Sequence, residues 1–462
     1  MDGRIKAARA HHDVVVVGGG PAGIAAAVAA ARQGVSVALL ERFGALGGNL
    51  TSGLVGPCMT SFDADGSTQV ITGIFDEFVR RMEAMGGAIH PSRTHAGDAY
   101  AGFIVYGHDK VTPFEPEAAK FAATDLCREA GVEVSLQTAA ADAELTGDRV
   151  TGVIAAEKGG IHAWPASVVI DASGDGDVAA AAGARMLHGR SSDGRTQPAT
   201  LFFRVAGVDD DAVEQYVADH LDDHRPFASI VARARAEGRF PAPRRGVGLY
   251  KTLRPGVWRI NTTRVLDVDG TDSKSLTAAT IAGLDQARAL LEFFRSDLPG
   301  FENAELFDTA ATLGVRETRR LAGVETLTVD DMRRPPDSRA IAYCGYPVDI
   351  HDPTGDGGGV LEDGLLATVY GIPYGALVPE RIDGLLVAGR CLSATHEALA
   401  AVRVMPPAFA TGEAAGIAAA IAVRAGIPPR EVSAAELRSA LAAAGAYIHD
   451  TTTDTTTMRR TA

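Results

Sequence analysis

The stretch DVVVVGGGPAGIAAAVAAARQGVSVALLE, Asp13 to Glu41, decides the fold. Its four consecutive valines, Val14 to Val17, read as a strand buried on both faces, because an unbroken β-branched run suits a parallel sheet covered by helices. Gly18, Gly20 and Gly23 follow at once as G-x-G-x-x-G. The first glycine permits a tight turn, the second a close approach of backbone to a pyrophosphate, and the third close packing of the next helix on the strand. Pro21 and Ala22, between the glycines, belong to the same contact. The Ala-rich helix that follows presents unpaired N–H groups and the positive end of its macrodipole, which favour a bound diphosphate. Val35 to Leu40 reads as a second buried strand. Glu41 closes it, placed to accept hydrogen bonds from ribose hydroxyls and to repel a 2′-phosphate. Strand, helix, strand and terminal acid in register predict a dinucleotide site and disfavour NADP.

The residues after Glu41 choose FAD over NAD. Arg42, Gly47, Gly48 and Asn49 in RFGALGGNLTSG resemble the flavoprotein extension, where a second glycine pair lets the chain run beside the diphosphate and ribityl chain. Ser52 lies in the loop that continues to Met59. Gly73 to Met85 is an amphipathic helix whose stripe of Ile74, Phe75, Phe78, Val79 and Met82 is core. Residues 90–112 read as a mobile loop near the substrate; His90, His95 and His108 lack metal-site spacing. A helix from Pro113 to Ala130 and a strand from Gly131 to Thr138 follow, with Ala140 just beyond counted as a cofactor contact. Arg149 to Ala156 and Gly160 to Trp164 form a small meander that returns through Ala166 to Asp171.

A second cofactor feature is VVIDASGDGDVAAAAG. Val168 to Ile170 is a buried strand, and Ala172, Ser173 and Gly174 are small enough to bring backbone against a cofactor. The third feature spans Ile382 to Ala420. Leu385 to Ala388 is a last buried strand, with Gly389 and Arg390 at its carboxyl end, where open α/β sheets bind ligands. A helix then starts after Pro406 and Pro407. Its N-terminus can stabilise negative charge on a reduced flavin.

Between these features the pattern changes. Residues 191–343 read as an inserted α+β substrate or cap domain between a first part (13–190) and a second part (344–428) of the FAD-binding domain. Residues 429–462 read as a C-terminal helix and disordered tail. Within the insertion, GVRETRRLAGVETLTVDD concentrates charge, and an arginine there can point inward to an anionic or carbonyl group. Arg316 is the candidate to orient substrate, Glu317 to hold Arg316 in place, and His351, with Asp349, to take a proton.

Composition excludes several classes. A net charge of −14 and pI near 5.3 argue against nucleic acid or an anionic membrane as partner. The four cysteines are scattered with no C-x-x-C, so neither a redox dithiol nor a cysteine-ligated metal or iron–sulfur site is signalled. No signal-peptide core precedes the first strand, and no apolar segment reads as a membrane span, so a cytoplasmic protein is expected. A homodimer is compatible with the apolar content.

Together GGGPAG, ERFGALGGNLTSGLVGP, FEPE, DASGDGD, GVRETRRLAG, YPVDIH and LLVAGR resemble the FAD-dependent oxidoreductases of the glutathione-reductase type, near the heterodisulfide-reductase-A-like and fumarate-reductase-like group. The resemblance runs from Asp13 to about Ala425. It implies an α/β, Rossmann-type FAD-binding domain contacting FAD through Gly18, Gly20, Gly23, Glu41, Arg42, Gly48, Ser173, Gly174, Gly389 and Arg390. Two departures bear on chemistry: a second G-x-G-x-x-G is missing, and so are the cysteine clusters that hold iron–sulfur centres. The expectation is therefore noncovalent FAD, a small-molecule substrate giving hydride to flavin N5, no metal, and oxygen or a separate electron carrier as oxidant. Two other readings stay open, an NAD(P)H-using flavin monooxygenase or reductase and a noncatalytic or tRNA-modification-related FAD-binding protein.

Overall fold

The computed structural model describes residues 6, 8–221, 225–355, 357–360 and 366–449. The valine run forms β1, His12–Val17, flanked by β2, Val37–Glu41, and β6, Gly160–Asp171, both parallel to it. Val14, Val15 and Val16 are fully buried, as a strand covered on both faces requires. Beyond β2 lies β3, Glu133–Leu136, also parallel. On the other side, β4, Ala139–Thr146, and β5, Arg149–Glu157, form an antiparallel meander with the first half of β6. The strand Leu385–Val387 pairs in parallel with the second half of β6.

The sequence predicts two strands, 160–164 and 166–171, where the structure has one. β6 stays continuous through Pro165, the last residue paired with β5, before β1 and Leu385–Val387 take over. A residue without an N–H is tolerated where the ladder changes partners.

Helix α1, Pro21–Arg32, packs on the long helix Met405–Ala425. A Cβ on Gly412 would lie 2.1 Å from the Ala22 carbonyl oxygen, and one on Gly416 2.2 Å from that of Ala26. These two glycines, one turn apart, let the helix backbones touch and bring both N-termini to the carboxyl edge of the sheet. The long helix begins at Met405, with Pro406 and Pro407 inside its first turn instead of before it. It is the one helix among the described residues long and apolar enough to cross a membrane, and 78% of its apolar window is buried inside the protein.

Its Glu413 is almost fully buried and accepts the Ile74 N–H, 3.2 Å, at the start of helix α2, Ile74–Ala84. Burial pushes this carboxyl up to about 7 from 4.5. The folded protein therefore holds a proton there that the unfolded chain has lost, and stability falls as pH rises from about 4.5 through 7. Glu413→Gln is expected to flatten that slope and stabilise the protein at pH 8 by on the order of 3 kcal/mol, with little change near pH 4.5. Thermal melts at both pH values check it.

The second unit has its own core. An antiparallel sheet ordered Glu305–Thr309, Phe203–Ala206, Trp258–Ile260, Leu249–Lys251 carries the helices Asp210–Asp219, Ala228–Ala236 and Ser273–Asp297. Phe203, Trp258, Phe294 and Phe301 are buried in it. The expected boundary at residue 343 is corrected: Leu321, Leu327, Met332 and residues 340–344 pack in the first core, so the chain returns soon after residue 315. After Leu327 a single helical turn, Val329–Met332, forms before Pro335 and Pro336. Helix α3, Pro116–Glu129, is tied to the second unit at its N-cap, Glu115, which takes the Leu253 N–H and pairs with Arg204 and Arg254. That is the structural part FEPE plays. Past the helix Ala434–Ala443, the predicted tail beyond residue 449 lies outside the described residues.

Candidate active site

At the carboxyl edge of the sheet a cleft opens between the two units. It is lined by Gly18, Gly20, Pro21, Ala22, Glu41, Arg42, Gly48, Asn49, Ala140, Ala172, Ser173, Gly174, Gly389 and Arg390. Gly18 has φ 98°, and a Cβ there would sit 2.4 Å from the Ala172 carbonyl oxygen. Gly20 is different. Its φ of −79° suits any residue, and a Cβ would meet nothing nearer than Gly48 Cα at 4.0 Å. What a side chain on Gly20 would fill is the cleft itself, and Gly48 faces it from the other side. This glycine cradle, at an α1 N-terminus that no side chain caps, fits a diphosphate group.

Glu41 is buried; its carboxylate accepts the N–H groups of Gly19, 2.6 Å, and Phe43, 2.7 Å. These bonds fix its orientation while it borders the cleft, and burial holds its carboxyl above the usual range. Ser173 donates its hydroxyl to buried Asp171, 2.6 Å, which shapes the loop after β6. Asp175 accepts from Arg390, 2.7 Å, and from the Thr318 hydroxyl, 2.9 Å, with Arg42 4.0 Å away.

Three predicted cofactor residues do not line the cleft. Gly23 faces Gly18, whose carbonyl oxygen would lie 1.7 Å from an added Cβ, so its task is helix–strand packing. Gly47, at φ 113°, makes the turn and donates its N–H to the Gly19 carbonyl, 2.7 Å. Ser52 accepts the N–H groups of Ala311 and Thr312 on its carbonyl, docking the second unit against the loop. Reasoning from sequence missed Thr138, Thr312, Leu313, Val315, Arg403 and Met405 on the cleft wall. Only Arg403 and Met405 carried a signal, sitting at the start of a helix already expected to face the flavin.

A second cavity opens beyond Asn49, Val315, Arg390, Arg403 and Met405, which border both. Arg316 and His351 line it, together with His108, Tyr250, Asn261, Tyr346 and Asp349. His108 belongs to the loop expected near the substrate. His351 Nε2 lies 3.6 Å from Asp349 Oδ2, and Asp349 also accepts the Tyr346 hydroxyl, 3.2 Å. Burial, then the positive charge of Arg316, pushes His351 down to about 3 from 6.5, against the pull of Asp349. The ring is therefore neutral at physiological pH. Asp349 is held well below the usual carboxylate range despite its burial, chiefly by His351 and Arg403.

Glu317 does not hold Arg316. Arg316 donates to the Pro198 carbonyl, 2.6 Å, and the Thr200 hydroxyl, 2.8 Å. Glu317 is fully buried and turned away: it pairs with Arg320, accepts the Gln197 N–H, 3.1 Å, and lies 2.7 Å from His396 Nδ1. Residues 316 and 317 lie in the irregular stretch just before the strand Arg319–Leu321, and of these two neighbours Arg316 lines the cavity while Glu317 is buried in the interior. Glu317→Gln is expected to destabilise the fold by about 3–5 kcal/mol, since Arg320 loses its buried partner. The folded fraction should keep FAD and substrate affinity within about threefold, which denaturation curves and ligand titrations check.

A parallel sheet with a glycine cradle, an oriented acid at the end of β2 and a second cavity at the cleft's end defines a dinucleotide-binding protein. The family model of FAD dependent oxidoreductases matches residues 13–441. The chain belongs to that family, and FAD is its cofactor. A thiamine thiazole synthase from Desulfosudis oleivorans (strain DSM 6200 / JCM 39069 / Hxd3) is 32% identical over 171 residues, 35% of this chain and 55% of that relative. This chain thus matches about half the length of that relative. Among solved structures, p-nitrophenol 4-monooxygenase from Pseudomonas putida DLL-E4 superposes with TM-score 0.49 at 13% identity, over 94% of this chain and 84% of that one. A geranylgeranyl bacteriochlorophyll reductase-like protein from Thermoplasma acidophilum gives 0.44 at 15%, over 91% and 80%.

Proposed function

We propose that the protein dehydrogenates a small organic substrate held in the second cavity. The observation that carries this reading is the meeting of the two cavities at Arg390, Arg403 and Met405, with a neutral, Asp349-paired histidine on the substrate side. FAD, held by the Gly18–Gly20 turn, Gly48 and the loop after β6, supplies the hydride acceptor when bound. His351 takes the proton released from the substrate heteroatom, and Asp349 keeps the imidazole oriented and stabilises its charged form. Arg316, clamped by Pro198 and Thr200, orients the substrate. The apolar wall of Val55, Pro57, Met59 and Phe202 keeps water from the reacting atoms.

The meander-bearing parallel sheet supports the finer assignment to the glutathione-reductase type. FAD is bound noncovalently in this reading, because the cleft wall offers no cysteine, histidine or tyrosine among the described residues. Oxygen or a separate carrier is the oxidant. The four cysteines, all buried and free, favour work in the cytoplasm. The test is anaerobic addition of candidate organic reductants, and separately NADPH, to the purified yellow protein. Bleaching by an organic substrate and not by NADPH supports dehydrogenation; rapid bleaching by NADPH alone overturns it for a monooxygenase or reductase.

A further inference from the structure

The second cavity collects guanidinium groups in excess of carboxylates. Arg316, Arg390 and Arg403 line it, and Asp349 is the single acid on its wall among the described residues. Arg390 is satisfied by Asp175. Asp349 is shared between His351 and the Tyr346 hydroxyl. Arg316 is only 8% exposed and pairs with no carboxylate among the described residues; its two hydrogen bonds go to neutral oxygens. Arg403 donates weakly to the Gln197 side chain, 3.4 Å, and to the Asp349 carbonyl, 3.1 Å, while its Nε is buried without a partner. A further guanidinium, half-buried Arg244, donates to the carbonyl of Asn261, a wall residue. Burial, Arg403 and Arg244 together drive the Arg316 pKa down.

Buried like charges that outnumber their counter-ions are costly, and an anion relieves that cost. A guanidinium is planar and can grip a carboxylate with two parallel hydrogen bonds. In the same cavity Val55, Pro57, Met59 and Phe202 offer apolar lining. We propose that the substrate is a small carboxylic acid with an apolar body, its carboxylate seated on Arg316 with Arg403 beside it. This rests on the reading of the second cavity as the substrate site. Arg403 and Arg390 border the cofactor cleft as well, so either can serve FAD; Arg316 lines only the second cavity, and its anion is the substrate's.

The test titrates the FAD-loaded protein with benzoate, succinate and inorganic phosphate, and with the neutral analogues benzamide and succinamide, following the flavin visible band. At least one acid is expected to bind at least tenfold more tightly than its amide. Arg316→Gln should abolish that preference while leaving amide affinity within threefold, which shows in the same titration that the site is still folded; Arg316→Lys should restore part of it. Equal affinity for acid and amide, tighter binding of phosphate, or no perturbation by either acid overturns the proposal, with no variant needed. Acid binding lost in Arg316→Gln beside unchanged turnover in a His351 variant would sink the base assignment and leave the anion site standing.

Discussion

Gly20→Val is expected to give a folded, colourless protein. At most positions in a glycine-rich turn the substitution confounds two effects, because the backbone conformation and the ligand both need the missing side chain. The structure separates them. Gly18 is left-handed and pressed against the Ala172 carbonyl, and Gly23 is pressed against the Gly18 carbonyl, so a side chain at either disturbs the fold itself. Gly20 has an ordinary extended conformation, and its missing Cβ points into the cleft opposite Gly48. An isopropyl group there occupies the space the diphosphate needs and blocks the approach to the α1 N-terminus. FAD affinity should fall roughly a hundredfold or more, equivalent to about 2.8 kcal/mol. The apo-protein melting midpoint should stay within a few degrees of the wild-type apo-protein, because a surface change without strain costs about 0.5 kcal/mol or less. Absorbance of the purified protein, FAD titration of the stripped protein and a melt decide it. A yellow Gly20→Val protein would place the cofactor elsewhere.

That separation also marks what the sequence could and could not disclose. The sheet centre was legible because Val14 to Val17 and Val168 to Ile170 are buried runs with one plausible environment, and the structure pairs them side by side. The motif gave Gly18, Gly20 and Gly23 separate roles; contact geometry adds that Gly23 packs without reaching the cleft, that Gly47 makes a turn, and that Gly18, Gly20 and Gly48 line the cleft. Arg316 and Glu317 show the same limit: a charged pair is visible in sequence, yet which of two neighbours faces the cavity depends on tertiary contacts in the irregular stretch before Arg319–Leu321. The wall residues Tyr250, on a strand of the second sheet, and Asn261, just past another, lie far along the chain from every motif, and no local pattern distinguished them from their neighbours. The same holds for the boundary of the second unit, since the charge-rich run from residue 314 to 331 does not show that Leu321, Leu327 and Met332 rejoin the first core.

His351→Asn should lower turnover by roughly 10²–10⁴ with substrate affinity little changed, the loss typical of a general base. The pH dependence is the sharper check. In the free protein, burial and the charge of Arg316 hold the imidazole down to about 3, so it is already neutral across the range in which enzymes are assayed. kcat/KM, which reports the free enzyme, should therefore show no histidine limb near 6.5. A base so weak is poorly matched to proton abstraction near pH 7. When the substrate's carboxylate sits on Arg316, the charge that repels a protonated His351 is offset, while the pull of Asp349 remains. The imidazole becomes more basic only when there is a proton to take. kcat, which reports the complex, should then carry an acid limb at higher pH than kcat/KM does, and that limb should vanish in His351→Asn. Arg316→Gln removes the depressing charge permanently, so its kcat/KM limb should move up toward the ordinary histidine range. Coincident acid limbs in kcat and kcat/KM for the wild type would dismiss this coupling, and unchanged turnover in His351→Asn would dismiss the base.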